Sequence, residues 1–450
     1  MTGHEAQISA GIATVNITPN EPVLMGGYGG REGRSSGAND PLLATALVLD
    51  DDANRVGLVA VDLLNVSREL TGRVRRQLAD QGHRFDEFLL VASHTHAGPY
   101  MSARAFDISP SFPVDDDISD VEASIEAGIV DAVGTAARSL SPSSLRVGTA
   151  TVSGVAENRR AAGGVSGNVR VPFGPVDEEV VAVYLEPAEG DPAILYNFAC
   201  HPVCTTGQEL LLSADWPGYA RTHITAAHSD AAVLFLNGAT GDINPAGGPG
   251  GDEDETPYDF MDRVGAAVAE GVLAAIDNAT ADTGASLTGA PLRTDGIGLT
   301  LPTKRTPPAT DLRALIEELK REREACQEAG DDVGARSLTY RLQHARELCA
   351  IAEWDATSLP NRMPYIEIGE LGILGMPGEV HVRHGLRFKR AATVDHLMPV
   401  GYVNDYVGYL PTLTDLEHVG YEVRTAKVAP EGIVEFNRAA RALVTDSHTV

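Results

Sequence analysis

The chain has 450 residues, 43% hydrophobic and 22% charged, a globular composition with length for a large core. Its 35 basic and 63 acidic residues leave a formal charge of −28, which argues against nucleic acid and anionic headgroups as partners. Four cysteines, Cys200, Cys204, Cys326 and Cys349, form neither a CxxC pair nor a dense framework, so reduced thiols and a cytoplasmic setting are expected.

Met1 to Ile12 shows no basic region followed by an apolar one, so no signal peptide is expected. Secretion stays open if the chain is a mature form. No apolar run approaches membrane-spanning length, so no stable membrane insertion is expected. Ile8 to Ile17 reads as a first strand, followed by the glycine loop Gly26-Gly27-Tyr28-Gly29-Gly30-Arg31, where backbone can approach a ligand closely. Leu42 to Leu49 and Val56 to Val61 flank an acidic turn as a hairpin. Leu64 to Ala79 has the spacing of an amphipathic helix. The apolar run Phe88 to Ala92 then ends in Ser93-His94-Thr95-His96-Ala97-Gly98-Pro99. In an extended segment His94 and His96 would point to one side. Two imidazoles so placed suit a shared metal, or one ligand and one proton carrier.

A helix is expected over Val121 to Leu140, then strands over Leu145 to Val152, Val180 to Leu185 and Ala193 to Phe198. The last runs into Cys200-His201-Pro202. A helix over Tyr219 to Ala227 and a strand over Ala231 to Leu236 lead to the polar loop Asn237 to Pro245. Gly247 to Glu255 reads as a surface loop, and Asp262 to Ile276 as a helix. Residues 311 to 354 repeat apolar positions at helical spacing around a Gly330-Asp331-Asp332 break, between proline breakers, and predict a helical hairpin. Tyr365 to Leu374 reads as one strand, and Pro377-Gly378-Glu379 as the opening of a helix to Ala391. A last strand, Leu397 to Val403, exits through Asn404 to Thr412. Neither a repeat nor a low-complexity linker interrupts the chain. One α/β domain over 1–450 is expected, with a large mixed sheet flanked by helices and a helical excursion at about 308–358.

Several apolar strands thus end in polar loops carrying histidines, a carboxylate and tyrosines. If they share an edge, nitrogen and oxygen ligands without thiolate suit zinc. With these pieces in order, the sequence resembles the neutral/alkaline, non-lysosomal ceramidase family, amidases with a catalytic zinc. The resemblance is carried by Val15-Asn16-Ile17-Thr18-Pro19, Gly26-Gly27-Tyr28, Ser93 to Pro99, Asn158-Arg159, Asn197 to Pro202, Gly241 to Pro245, Pro377-Gly378-Glu379 and Asn404 to Thr412. It implies one zinc held by His94, His201, Glu379 and Tyr409. It also implies that His96 is a histidine beside the metal that does not ligate it, that Tyr421 faces the scissile carbonyl, and that Arg159 lines the substrate site. His381 and His384, three apart, fit no HExxH pattern and receive no role.

Two departures bear on the reaction. Where the family has a serine in its Gly-Asp-x-Ser-Pro loop, this chain has Asn244, which cannot form an acyl-enzyme. The chain also ends soon after Tyr421, so no C-terminal β-domain is expected. The expected function is hydrolysis of a linear amide C–N bond by zinc-activated water, on an N-acyl lipid or a smaller soluble amide. An esterase or other zinc hydrolase on the same site, and a non-enzymatic metal- or lipid-binding module, remain alternatives. No GxSxG elbow is present. Oligomeric state is open.

Overall fold

A computed structural model describes residues 7–28, 31–101, 118–160, 174–248, 255–281, 285–353, 357–418 and 420–445. Gly29, Gly30 and most of the loop expected over Gly247 to Glu255 lie outside them. The main sheet runs, in spatial order, Ala232–Asn237, Ala193–Phe198, Glu179–Pro187, Ser141–Thr151, Ser9–Asn16, Leu43–Asp50, Arg55–Val61 and Glu87–Ala92, with Ala285–Ser286 added beside Ser141–Thr151. The pairs at its two edges, Arg55–Val61 with Glu87–Ala92 and Ala193–Phe198 with Ala232–Asn237, are parallel. The pairs between them are antiparallel. The edge strand Glu87–Ala92 and the strand Ala193–Phe198, which lies next to the other edge, are buried at every position, which explains why they read as mostly apolar runs without alternation.

Helices α1 (Arg68–Asp80), α2 (Ser119–Arg138), α3 (Trp216–Ala227) and α4 (Pro257–Thr280) cover one face of this sheet. Ser67 caps α1 by accepting from the Leu70 amide, so the helix starts four residues later than its apolar pattern suggests. A second sheet, Leu292–Pro302, Ser358–Ile368, Leu371–Gly375 and His396–Val400, packs on the opposite face. Leu47, Leu58, Leu145 and Val183 meet Ile366, Ile373 and Met398 there. The strand expected over Tyr365 to Leu374 is in fact two, turned at Gly369 (φ +55°) and paired Ile368 to Leu371. With both faces buried, no alternation marked the turn.

The two longest strands of the second sheet pair from Leu292↔Ile368 to Pro302↔Ser358. Between them the chain leaves as α5 (Ala309–Glu328) and α6 (Asp332–Glu353), packed on each other through Leu319, Leu338, Leu342 and Ala345. This is the expected helical excursion. α7 (Val382–Ala391), α8 (Tyr421–Thr425) and α9 (Pro430–Thr445) complete the chain, and α9 packs on the outer face of the second sheet. No helix of the described residues is long and apolar enough to cross a membrane.

The main sheet curls until its edges are joined by one segment. Gly401 N–H donates to Asn237 O on one side, and Val403 bridges Val91 on the other. Asn404 extends that seam with its side chain, accepting from Leu90 N–H and donating to Phe88 O. The polar strand ends therefore converge.

Candidate active site

The strand carrying the first histidines stops at Ala92, and His94 adopts φ +70°. The expectation that His94 and His96 share a side because the segment is extended is therefore corrected. A left-handed residue reverses the chain, and the two rings still meet edge to face, centroids 5.0 Å apart. His94 Nδ1 lies 2.6 Å from Leu64 O, and its ring stacks on Tyr402 at 4.1 Å. His201, three residues beyond its strand, places Nδ1 2.7 Å from Thr240 O and 3.1 Å from Ile243 O. A carbonyl only accepts, so each Nδ1 carries the proton and each Nε2 presents a lone pair. Both Nε2 atoms are buried without a hydrogen-bond partner.

Glu379 is not at a helix start. It lies in a two-residue strand paired with Tyr409–Leu410, and α7 begins only at Val382. The expected helix opening at Pro377-Gly378-Glu379 is thereby corrected. Gly378 makes the turn possible: at φ +86°, a Cβ there would come within 2.4 Å of Gly408 O. Tyr406 OH donates to Glu379 Oε1. Glu379 Oε2 has no hydrogen-bond partner and lies 3.3 Å from His201 Nε2 and 3.6 Å from His94 Nε2. Bonds of about 2.0–2.2 Å to a tetrahedral zinc put its ligand atoms about 3.3–3.6 Å apart. The donor set therefore fits such an ion.

His96 offers a different geometry. One ring nitrogen from each of His94, His96 and His201 falls within 4.8 Å of the others. Neither nitrogen of His96 has the carbonyl partner that fixes the other two, and both are buried without a bond. Gly27, at φ +98°, clears room for it, since a Cβ there would meet the ring at 2.8 Å. Arg31 Nη2 donates to His96 O, and Tyr28 packs edge-on at 5.1 Å.

Arg159 is expected beside the substrate, yet its guanidinium is engaged by protein. Nε donates to Glu422 Oε1 (2.9 Å), Nη1 to Asn244 Oδ1 (3.0 Å), and Nη2 to Gly241 O (2.9 Å) and Tyr409 OH (3.0 Å). Asn244, the residue in the serine position, is thus an acceptor for Arg159. Tyr421 opens α8 with its ring 5.6 Å from that of Tyr409. His381 and His384 turn to separate partners. His381 Nδ1 meets Asp415 Oδ2 at 2.8 Å, whereas His384 lies between Asn437 Oδ1 and Pro411 O.

Charge follows this layout. Burial, then Arg159, pushes His201 down to about 4. Burial, with His94 and His201 beside it, holds His96 well below the usual imidazole value, so it is neutral at pH 7. Burial pushes Glu379 up, but the His94 and His201 rings outweigh it and hold the carboxyl well below its usual range. Burial, then the Glu379 charge, raises the Tyr409 phenol well above its ordinary value.

Sequence reasoning missed Tyr402, Tyr406, Arg31 and Glu422. The tyrosines did leave a signal: three of the chain's 12 fall within residues 402–409. Arg31 and Glu422 left none.

The chain is similar to known proteins over most of its length. The chain is 26% identical over 462 aligned positions to the neutral ceramidase of Mycobacterium tuberculosis, covering 88% of this chain and 70% of that one. The crystal structure of neutral ceramidase from Pseudomonas aeruginosa superposes with a TM-score of 0.75 at 20% identity, over 98% of this chain and 74% of that one. A ceramidase complexed with C2 superposes with a TM-score of 0.74 at 18% identity, over 98% and 75%. At such identities the likeness to the solved structures is one of fold. The family model for neutral/alkaline non-lysosomal ceramidase, N-terminal, matches residues 8–262, more than half of the sequence. The chain belongs to that family, and so to the hydrolases of linear amide C–N bonds.

Proposed function

We propose that this protein is a zinc-dependent amidase cleaving the C–N bond of an N-acyl amine, ceramide-like or a smaller soluble amide. One observation carries the reading: the unpartnered, buried Nε2 atoms of His94 and His201 converge on Glu379 Oε2 at 3.6 and 3.3 Å. His94, His201 and Glu379 would hold the ion, with the Tyr409 phenol as fourth donor. A zinc held there would supply Lewis acidity, the property that brings the pKa of a water to about 7.

The residues divide the remaining work. His96, neutral and unbonded at both nitrogens, accepts the proton of the attacking water as the C–O bond forms. It returns that proton to the amine nitrogen as the C–N bond breaks. Tyr421 donates a hydrogen bond to the carbonyl oxygen as charge develops on it. Arg159 orients Tyr409, which it reaches at 3.0 Å. Asn244 supplies no nucleophile, so the reaction passes through no acyl-enzyme at that residue.

The charge of −28 opposes approach to anionic bilayers, an effect screened beyond about 8 Å at physiological salt. We therefore place water-dispersible N-acyl amides ahead of ceramide in vesicles as substrates. Initial rates over long-chain ceramides, short-chain N-acyl amines, polar amides and matched esters, with and without detergent and chelator, test this. The expected result is amide cleavage lost with chelator and restored by zinc. Full activity in chelator, or turnover of esters alone, contradicts the mechanism. Preference for long-chain ceramide in detergent-free vesicles contradicts the substrate assignment.

A further inference from the structure

Two consecutive arginines on one strand end face two carboxylates on the segment that carries Tyr421. Glu422 is buried and splits its oxygens between them, Oε1 accepting from Arg159 Nε at 2.9 Å and Oε2 from Arg160 Nη1 at 3.1 Å. Arg160 Nη2 also donates to Asp415 O at 3.4 Å. Asp415 in turn holds His381 Nδ1 and both the amide and hydroxyl of Thr412. Residues 411–418 and 420–425 are thereby fastened by side chains to the strand end at Asn158 and to the turn before α7. Helix α8 has only five residues and lacks a side-chain N-cap, so its own hydrogen bonds do little to fix it.

We propose that Glu422 is a positioning residue for the amidase reaction, setting where the neighbouring Tyr421 phenol stands through its bonds to Arg159 and Arg160. The geometry makes the coupling specific. Arg159 joins Glu422 to Tyr409 and Asn244 through one rigid guanidinium, so the tyrosine proposed as ligand and the tyrosine proposed to face the carbonyl share one reference point. A displacement of about 1 Å at such a group can cost about a hundredfold in rate. Burial pushes the Glu422 carboxyl up, yet Arg159, His381 and Arg160 outweigh it and keep it ionised.

This inference rests on the role given to Tyr421 above, and a double-mutant cycle separates the two. Glu422→Gln, Tyr421→Phe and the double variant are compared for metal content, KM and kcat. The expected result for Glu422→Gln is wild-type metal content, KM within about twofold, and kcat lower by about ten- to a hundredfold. In the Tyr421→Phe background the same change should cost less than about threefold, because its route to the reaction is already gone. Equal losses in both backgrounds, or loss of metal in Glu422→Gln, overturn the inference and leave the amidase reading intact. Normal turnover in Tyr421→Phe alone overturns the role of Tyr421 and the inference with it. Arg160→Gln frees Glu422 Oε2 without touching Arg159, and serves if Glu422→Gln does not fold. It should show the same non-additivity with Tyr421→Phe, and additive losses again contradict the proposal.

Discussion

The site has two halves that are held by different means. The histidine half, His94 and His201, hangs from the ends of buried strands of the main sheet, and each ring is fixed by backbone carbonyls at Leu64, Thr240 and Ile243. The other half, Glu379, Tyr409 and Tyr421, sits on two-residue strands and a five-residue helix, fixed by side chains: Tyr406, Arg159, Glu422 and Asp415. Backbone acceptors come with the fold and survive most substitutions. Side-chain anchors are separable, so in this half orientation can be lost while the fold stays.

Several changes should break or sharpen that contrast. The largest effect is expected at His96, whose ring rests against His94 and His201. His96→Ala should lower turnover by about 10²–10⁴-fold with substrate binding little changed, and a loss below tenfold in steady-state kinetics would remove it from proton transfer.

Next is a pH effect at the back of the second half. Burial, partly opposed by the bond that His384 Nε2 donates to Pro411 O, pushes His384 down to about 4. Unfolded, it takes a proton near 6.5, so the unfolded chain binds more protons between those values. Stability therefore rises with pH in that window and is lost as pH falls from about 6.5 to about 4, by about 1.4 kcal/mol per unit. Urea unfolding of His384→Gln should show that much less slope than wild type, and an unchanged slope contradicts the assignment.

Tyr406→Phe should weaken metal binding by about 10–100-fold, the usual cost of losing a group that orients a ligand. A titration with unchanged affinity would mean the Glu379 carboxylate needs no such anchor. The smallest effect on the metal is expected from the excursion. Replacing α5 and α6 by a short turn between Pro302 and Ser358, which pair with each other, should leave metal content unchanged. Substrate preference or oligomeric state should shift instead, and failure to fold would make the hairpin part of the core.

The contrast also explains what the sequence showed. His94 and His201 follow long apolar strands, so a strand-ending pattern found them. The helical hairpin was legible for a similar reason, since Leu312, Leu319, Leu338 and Leu342 keep helical spacing. Glu379 was found through resemblance and misplaced locally, because a Pro-Gly-Glu turn before a helix looks like a helix start. Its true setting depends on Tyr409, thirty residues away, through a pairing no local pattern encodes. Glu422 and the bond from Arg31 to His96 O were invisible for the same reason: the partners lie more than sixty residues apart.

Metal content of paired variants tests the central claim most directly. Elemental analysis of the wild-type protein should give about one zinc per chain. His94→Ala should lose it, whereas His96→Ala should keep it while losing turnover. Active wild-type protein without transition metal, or equal metal loss in both variants, would contradict the division of the site into a holding pair and a proton carrier.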